Sequence, residues 1–322
     1  MPTVICRRVP PARVVRAVRA FRVGAIGALA LTLLGCARRA TSAARSGGTP
    51  AVESRRTALR VMSFNVRYDN PGDGINAWPN RRDWVASLLR FHDVDVVGVQ
   101  EALAPMLRDL DARLPGFARV GVGRADGRMA GEFSAILYRT DRLTLSDSGT
   151  FWLSPTPSVA GSKGWDAAIE RIATWARFRD RQTGCNFFML NTHFDHVGEV
   201  ARQQSARLIR TRLAAMAGAL PIVMTGDLNS DPQSGAYRVL TRDTIAEASA
   251  PLRDALSSSL GGHYGPLSSW TAFKAIEPGR RIDYVLVSPT VTVVSHAILP
   301  DSWDGRFPSD HLPVLAALAP CR

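Results

Sequence analysis

Apolar residues along this chain come in short blocks, and block after block stops at a polar side chain. Pro221 to Asn229, P-I-V-M-T-G-D-L-N, shows the pattern best. Ile222, Val223 and Met224 read as a buried strand, Gly226 allows a sharp exit, and Asp227 and Asn229 follow with one residue between them. Taken alone, the stretch fits a capped helix start equally well, with Asp227 or Asn229 as N-cap. The same pattern recurs. Leu59 to Val66 alternates up to Phe64 and ends at Asn65, Val94 to Val99 ends at Gln100-Glu101, and Asn186 to Asn191 runs into Thr192-His193-Phe194-Asp195-His196. Further strands are expected at Phe133–Tyr138, Arg171–Phe178, Arg281–Val287 and Leu312–Leu318, with a short one at Trp270–Phe273. Arg171–Phe178 and Asn186–Asn191 should pair as a hairpin. Helical spacing marks Arg81–His92, with Trp84, Leu88 and Phe91 on one face, then Ala102–Leu114 and Gly198–Ala217, and a short helix ending at Leu240. Phe151–Pro157 and Gly161–Asp166 carry no period and read as loops with aromatic walls.

Composition changes this picture at the N-terminus. The net charge of +12 suggests a nucleic-acid partner until it is located. Residues 1–35 carry six arginines and no acid, and residues 36–60 add six more against Glu53, leaving 28 basic and 27 acidic residues from Val61 onward. The folded part is nearly neutral, so bulk charge gives nucleic acid no support. Arginines followed by twelve largely apolar residues, Val23–Leu34, read as a signal peptide (residues 1–35), the apolar run being too short to span a bilayer. Leu33-Leu34-Gly35-Cys36 resembles a bacterial lipobox, which makes Cys36 the lipidation site. Residues 36–58 are a flexible tether and 59–322 the folded domain, long enough for a substantial core. Cys185 and Cys321 would then lie in an oxidising compartment, where one disulfide can form. Nothing in the sequence places the two close together, and two free, partly buried thiols are expected.

Each polar strand end would be costly if buried alone, so the set is expected to converge on one hydrated cleft. In chain order the fragments F-N-V, V-Q-E, N-T-H, T-G-D-L-N, R-I-D-Y and S-D-H, from about Arg60 to Leu318, resemble the motifs of the endonuclease/exonuclease/phosphatase (deoxyribonuclease I-like) superfamily. The text around N-A-W-P-N-R-R, G-W-D and T-H-F-D-H is similar to bacterial secreted members related to the deadenylase branch. The resemblance implies an α/β fold, a four-layer α/β/β/α sandwich of two packed mixed sheets with the site at one end. It also implies a metal-dependent phosphoesterase that hydrolyses a phosphodiester or phosphomonoester by water attack. By that resemblance Asn65, Glu101 and Asp310 hold Mg²⁺ or Mn²⁺, as their oxygen chemistry suits. His193, Asp227, Asn229, Asp283 and His311 are catalytic, the base being either His311, paired with Asp283, or Asp227. His193 would donate to the phosphate. The expected partners are a phosphoester substrate and, through the lipid, a membrane, for a monomer in the cell envelope. The alternatives are a secreted nuclease and a non-catalytic binding lipoprotein on the same fold. Asp195 and His196 match no motif and are either site residues or supports of the His193 loop. Tyr138 and Tyr284 are read as packing, and Asp283 has a structural alternative as partner of Arg281. His92, His263 and His296 are read as solvated or capping.

Overall fold

A computed structural model describes residues 57–321, all within one compact unit. The expected signal peptide, most of the expected tether and the expected lipidation site at Cys36 lie outside the described residues. Among those described, no helix is long and apolar enough to cross a membrane.

Thirteen strands among the described residues form two mixed sheets. The first runs in the order β10 (His263–Tyr264), β12 (Thr292–Ile298), β13 (Val314–Ala319), β1 (Leu59–Asn65), β2 (Val96–Gln100), β4 (Ile136–Arg139), β3 (Phe117–Val120), and the second β5 (Leu143–Trp152), β6 (Ile172–Asp180), β7 (Asn186–His193), β8 (Ile222–Asp227), β11 (Asp283–Val287), β9 (Arg253–Asp254). The strands that matter for the site are β1, β2, β7, β8, β11 and β13. β1 pairs in parallel with β2, and β7 with β8, while β11 runs antiparallel to β8. Inner faces meet through Leu59, Val61 and Val96 on one sheet and Phe187, Met189, Val223 and Val285 on the other, all buried. Helices α1 (Arg82–Phe91) and α2 (Ala104–Arg113) cover the first sheet, and α3 (Glu199–Ala217) and α4 (Gly235–Thr241) cover the second. The result is the expected α/β/β/α sandwich. Each fully buried Leu, Val or Phe contributes roughly 1.5–3 kcal/mol to holding the layers together.

Polar groups cross the interface as well. The Asn191 amide donates to Val99 O and Ala135 O at 2.9 Å, and its oxygen accepts from Gln100 Nε2 at 2.7 Å and Thr225 Oγ1 at 3.0 Å. All four hydrogen-bonding positions of one buried amide are satisfied across the two sheets, which locks their relative position. Gly98 leaves room for this cluster, since a Cβ there would lie 2.1 Å from Thr225 Oγ1.

Several expectations are corrected. The buried face of α1 is Val85, Leu88 and Leu89; Phe91 is exposed and Trp84 stacks on Trp303 at the rim. Trp270–Phe273 is a turn rather than a strand, with Ala272 and Phe273 at positive φ and Thr271 N–H bonded to Asp310 O. The strand β5 (Leu143–Trp152) takes in Phe151 and Trp152, which had read as loop, because its half-buried edge position needs no strict alternation. Cys185 and Cys321 form a disulfide, with Cα atoms 5.7 Å apart, because β7 delivers one and the residues after β13 the other to the same end of the sandwich. His296 is buried rather than solvated, its Nδ1 2.9 Å from that of His263, whereas His92 reaches Asp301 at 2.9 Å. Tyr138 and Tyr284 are packing residues as read, and Arg281 pairs with Asp254 at 2.7 Å, leaving Asp283 free for the site.

Candidate active site

Strand register builds the site. Asn65 stands opposite Gln100 at the ends of β1 and β2, and Asp227 at the end of β8 stands between His193 of β7 and Asp283 of β11. Ends of parallel neighbours point the same way, so their last side chains meet, and the turns beyond them are forced into a tight space. Arg67, Glu101 and Asn229 all adopt positive φ (53°, 64° and 45°), a conformation that non-glycine residues take at a cost of roughly 1–3 kcal/mol each.

Asp227 is the hub. Its carboxylate accepts from Asn229 N–H at 2.9 Å and Asn65 Nδ2 at 3.0 Å, and Oδ2 lies 3.4 Å from His193 Nε2 and 3.6 Å from His311 Nε2. Burial and the neighbouring Asp283 push its pKa up to about 6 despite the opposing pull of His311. His311 donates from Nδ1 to Asp283 Oδ2 at 2.8 Å and sits edge-on to Trp270. Burial alone would lower its pKa, but Asp283 and Asp227 outweigh it and hold the imidazole protonated up to about 10. The Asn229 amide donates to His193 Nε2 and to Phe194 O, both at 3.0 Å, so its orientation is pinned and Nε2 acts as an acceptor. Burial, with Arg171 and His311 nearby, drives the His193 pKa well down, consistent with a neutral ring. In this arrangement Nε2 is not free to donate to a phosphate.

Asn65 Nδ2 also donates to Glu101 Oε1 at 2.8 Å, and Glu101 Oε2 accepts from Tyr68 N–H at 3.1 Å. Arg67 bridges the expected metal ligands, 3.9 Å from Glu101 and 3.8 Å from Asp310. A guanidinium between two carboxylates marks a place that favours a cation. Donor atoms of Glu101, His193 and Asp227 lie within 4.8 Å of one another. This donor set, mostly oxygen, fits a hard divalent ion.

A cavity of about 400 Å³ opens onto these groups, with Glu101, Arg171, His193, Asp227, Asp310 and His311 in its wall. Asn65 and Asp283, both buried, support that wall from behind. Asp195 proves to be a loop support. It accepts from Val197, Gly198 and Ile169 N–H groups, and these bonds hold its pKa at about 2 against the effect of burial. His196, in contrast, lines the cavity and hydrogen-bonds Arg171 at 3.0 Å.

Arg171 was missed in the sequence, where it reads as the first residue of a strand. Its guanidinium is 5% exposed, and Nε and Nη1 have no hydrogen-bond partner. Glu132, which could neutralise it, is already held by Arg124 in a bidentate pair at 2.7 and 2.9 Å. A signal existed: a lone arginine directly before an apolar strand that enters the same sheet as His193.

Two packed mixed sheets ending in this carboxylate, amide and imidazole cluster define a protein of the deoxyribonuclease I-like fold. The chain belongs to the endonuclease/exonuclease/phosphatase family, whose sequence model matches residues 62–311. It is 41% identical to an endonuclease/exonuclease/phosphatase from Bacteroides vulgatus, with a TM-score of 0.77, covering 82% of this chain and 99% of that one. It is 34% identical to a mannosyl-6-phosphatase from Bacteroides thetaiotaomicron, with a TM-score of 0.76, covering 81% of this chain and 100% of that one. Nocturnin of Drosophila melanogaster is 24% identical over 177 residues, 48% of this chain and 26% of that protein. A mimivirus protein matched at 25% identity is covered to 33%, so the chain spans a third or less of these two curated relatives. The family is one of metal-dependent phosphoesterases and nucleases and is generally hydrolytic, and this chain has a site able to hold a metal.

Proposed function

We propose that the protein is a Mg²⁺-dependent phosphoesterase that hydrolyses a small phosphomonoester outside the cytoplasm. The observation that carries this is the convergence of six strand ends on one cavity, with Asp227, His311 and Glu101 in its wall and a buried arginine opposite. The 34% identical mannosyl-6-phosphatase favours a monoester over a diester. Glu101 and Asp310 would hold Mg²⁺, with Asn65 orienting Glu101 from behind through its amide rather than binding the ion as expected; the ion would supply charge neutralisation on the phosphate and a more acidic water. Asp227 faces the cavity and takes the proton of the attacking water. His311, cationic between Asp283 and Asp227, draws the phosphoryl charge toward the wall and is placed to return a proton to the leaving oxygen. Asn229 fixes Asp227 and His193, and Arg171, in the cavity wall beside His196, sets a buried positive charge near the phosphate. Water adds to phosphorus as the ester P–O bond breaks, giving inorganic phosphate and an alcohol.

The envelope location rests on the arginine-rich leader and the lipobox at Cys36, and the Cys185–Cys321 disulfide is compatible with an oxidising compartment. The test is turnover of p-nitrophenyl phosphate, bis-p-nitrophenyl phosphate and oligonucleotides by the purified full chain with Mg²⁺ or Mn²⁺. No turnover of any ester refutes the enzyme, and full activity in Glu101→Ala and His311→Ala refutes the site. Membrane fractionation of a Cys36→Ser variant tests the anchor, which requires release to the soluble envelope fraction.

A further inference from the structure

Beside the reactive cavity lies a larger one that the chemistry above does not use. Its volume is about 530 Å³, and it shares His196 and Asn229 with the reactive cavity, so it adjoins the place a phosphate would take at Asp227 and His311. The walls are the loop 229–235, the first turn of α3 and the segment before β11.

Chemistry of the wall narrows what could occupy it. Two carboxylates, Glu199 and Asp231, offset two guanidiniums, Arg202 and Arg280, and Gln233 adds an amide. No Phe, Tyr or Trp lines the cavity, its one imidazole, His196, is hydrogen-bonded to Arg171, and Ile282 is its one large apolar side chain, so it offers no broad platform for a base and no channel for an acyl chain. Balanced charge argues against a polyphosphate or nucleic-acid backbone, which needs a cationic track. What remains is a dense set of donors and acceptors suited to hydroxyl groups.

The fold also holds this wall in place. Asp231 accepts from Gln233 N–H at 2.7 Å, Ser234 caps α4 through Tyr237 N–H, and Arg202 is tied to Asp195 O at 3.0 Å. Gly235 lets the loop lie against α3, because a Cβ there would come within 2.6 Å of Gln203 Nε2.

We infer that this cavity is the leaving-group subsite and that the substrate is the phosphate ester of a hydroxyl-rich small molecule, a monosaccharide phosphate, selected by Glu199 and Gln233. The inference rests on the phosphoesterase reading above. It is tested on the full chain with Mg²⁺ by comparing kcat/KM for mannose 6-phosphate, glucose 6-phosphate, 5′-AMP, a fluorescent oligonucleotide and p-nitrophenyl phosphate. The wild type should favour a hexose phosphate over p-nitrophenyl phosphate at least ten-fold. In Glu199→Gln and in Gln233→Ala, both exposed positions, that selectivity should fall about ten-fold, mainly through KM, the effect of roughly one hydrogen bond. Selectivity within two-fold of wild type in both variants overturns the subsite, as does a preference for 5′-AMP or the oligonucleotide. Failure to turn over any ester removes the phosphoesterase reading and the subsite with it, which separates the two.

Discussion

Replacing Arg171 by methionine should reduce activity while leaving stability unchanged or raising it. The side chain is buried in the cavity wall, burial and neighbouring Arg124 lower its pKa, and its nearest acid, Asp195, lies 3.6 Å away and is already satisfied by backbone N–H groups. Two of its nitrogens have no partner. A poorly compensated buried charge contributes little to folding, and exchange for an apolar residue of similar volume is often neutral or stabilising by about 1–4 kcal/mol. In the reaction the guanidinium in the cavity wall would act on the phosphate charge, worth about 1.5–3 kcal/mol as a single charge-assisted interaction. Its loss predicts a fall in kcat/KM of roughly 10- to 10²-fold, at about 1.4 kcal/mol per decade. The assay is steady-state hydrolysis beside thermal unfolding, with Arg171→Lys as the control that keeps charge but loses the planar fork and should give an intermediate rate. A Tm lowered by more than about 5 °C with kcat/KM within ten-fold of wild type would show that Arg171 is a structural strut and refute the argument.

Reduction of Cys185–Cys321, or Cys321→Ser, should destabilise the fold. The sequence separation of 136 residues gives a chain-entropy limit of about 5 kcal/mol, read as a drop in denaturation midpoint with reductant. Burial lowers the His296 pKa to about 4, so the unfolded chain binds the extra proton between about pH 6.5 and 4. Stability should therefore be full above pH 6.5 and fall as pH drops through that window, by on the order of 3 kcal/mol, and denaturation of His296→Gln across the same range should show a flatter profile. Gly98→Ala should cost about 3 kcal/mol or more, because its Cβ would drive into Thr225 and Asn191 between the sheets, a loss visible as a lower Tm without loss of the metal response.

Much of the site was legible because strands announce their own ends. A buried run that stops at Asn65, Glu101, His193 or Asp227 carries its local structure and its chemistry in adjacent residues. Pairing partners were not legible in the same way. Gln100, Asn191 and Thr225 belong to the same motif fragments as the catalytic groups, yet they point between the sheets and lock them. Strand alternation alone could not say which motif residue faces the site and which the interface. The edge strand β5, the α1 face and the Trp270–Phe273 turn were misread where local periodicity competes with distant contacts.

Sequence by itself determined the site-bearing strands β1, β2, β7, β8 and β11, the near-neutral charge from Val61 onward, and the set of groups available for phosphoester chemistry. Tertiary structure decided which of those groups meet. It placed Asp227 between His193 and Asp283, brought Cys185 to Cys321 across 136 residues, and turned Arg171 from the first residue of a strand into the buried cation of the cavity. The physical reason is that register and sheet packing set distances between residues far apart in the chain, whereas periodicity reports only on neighbours.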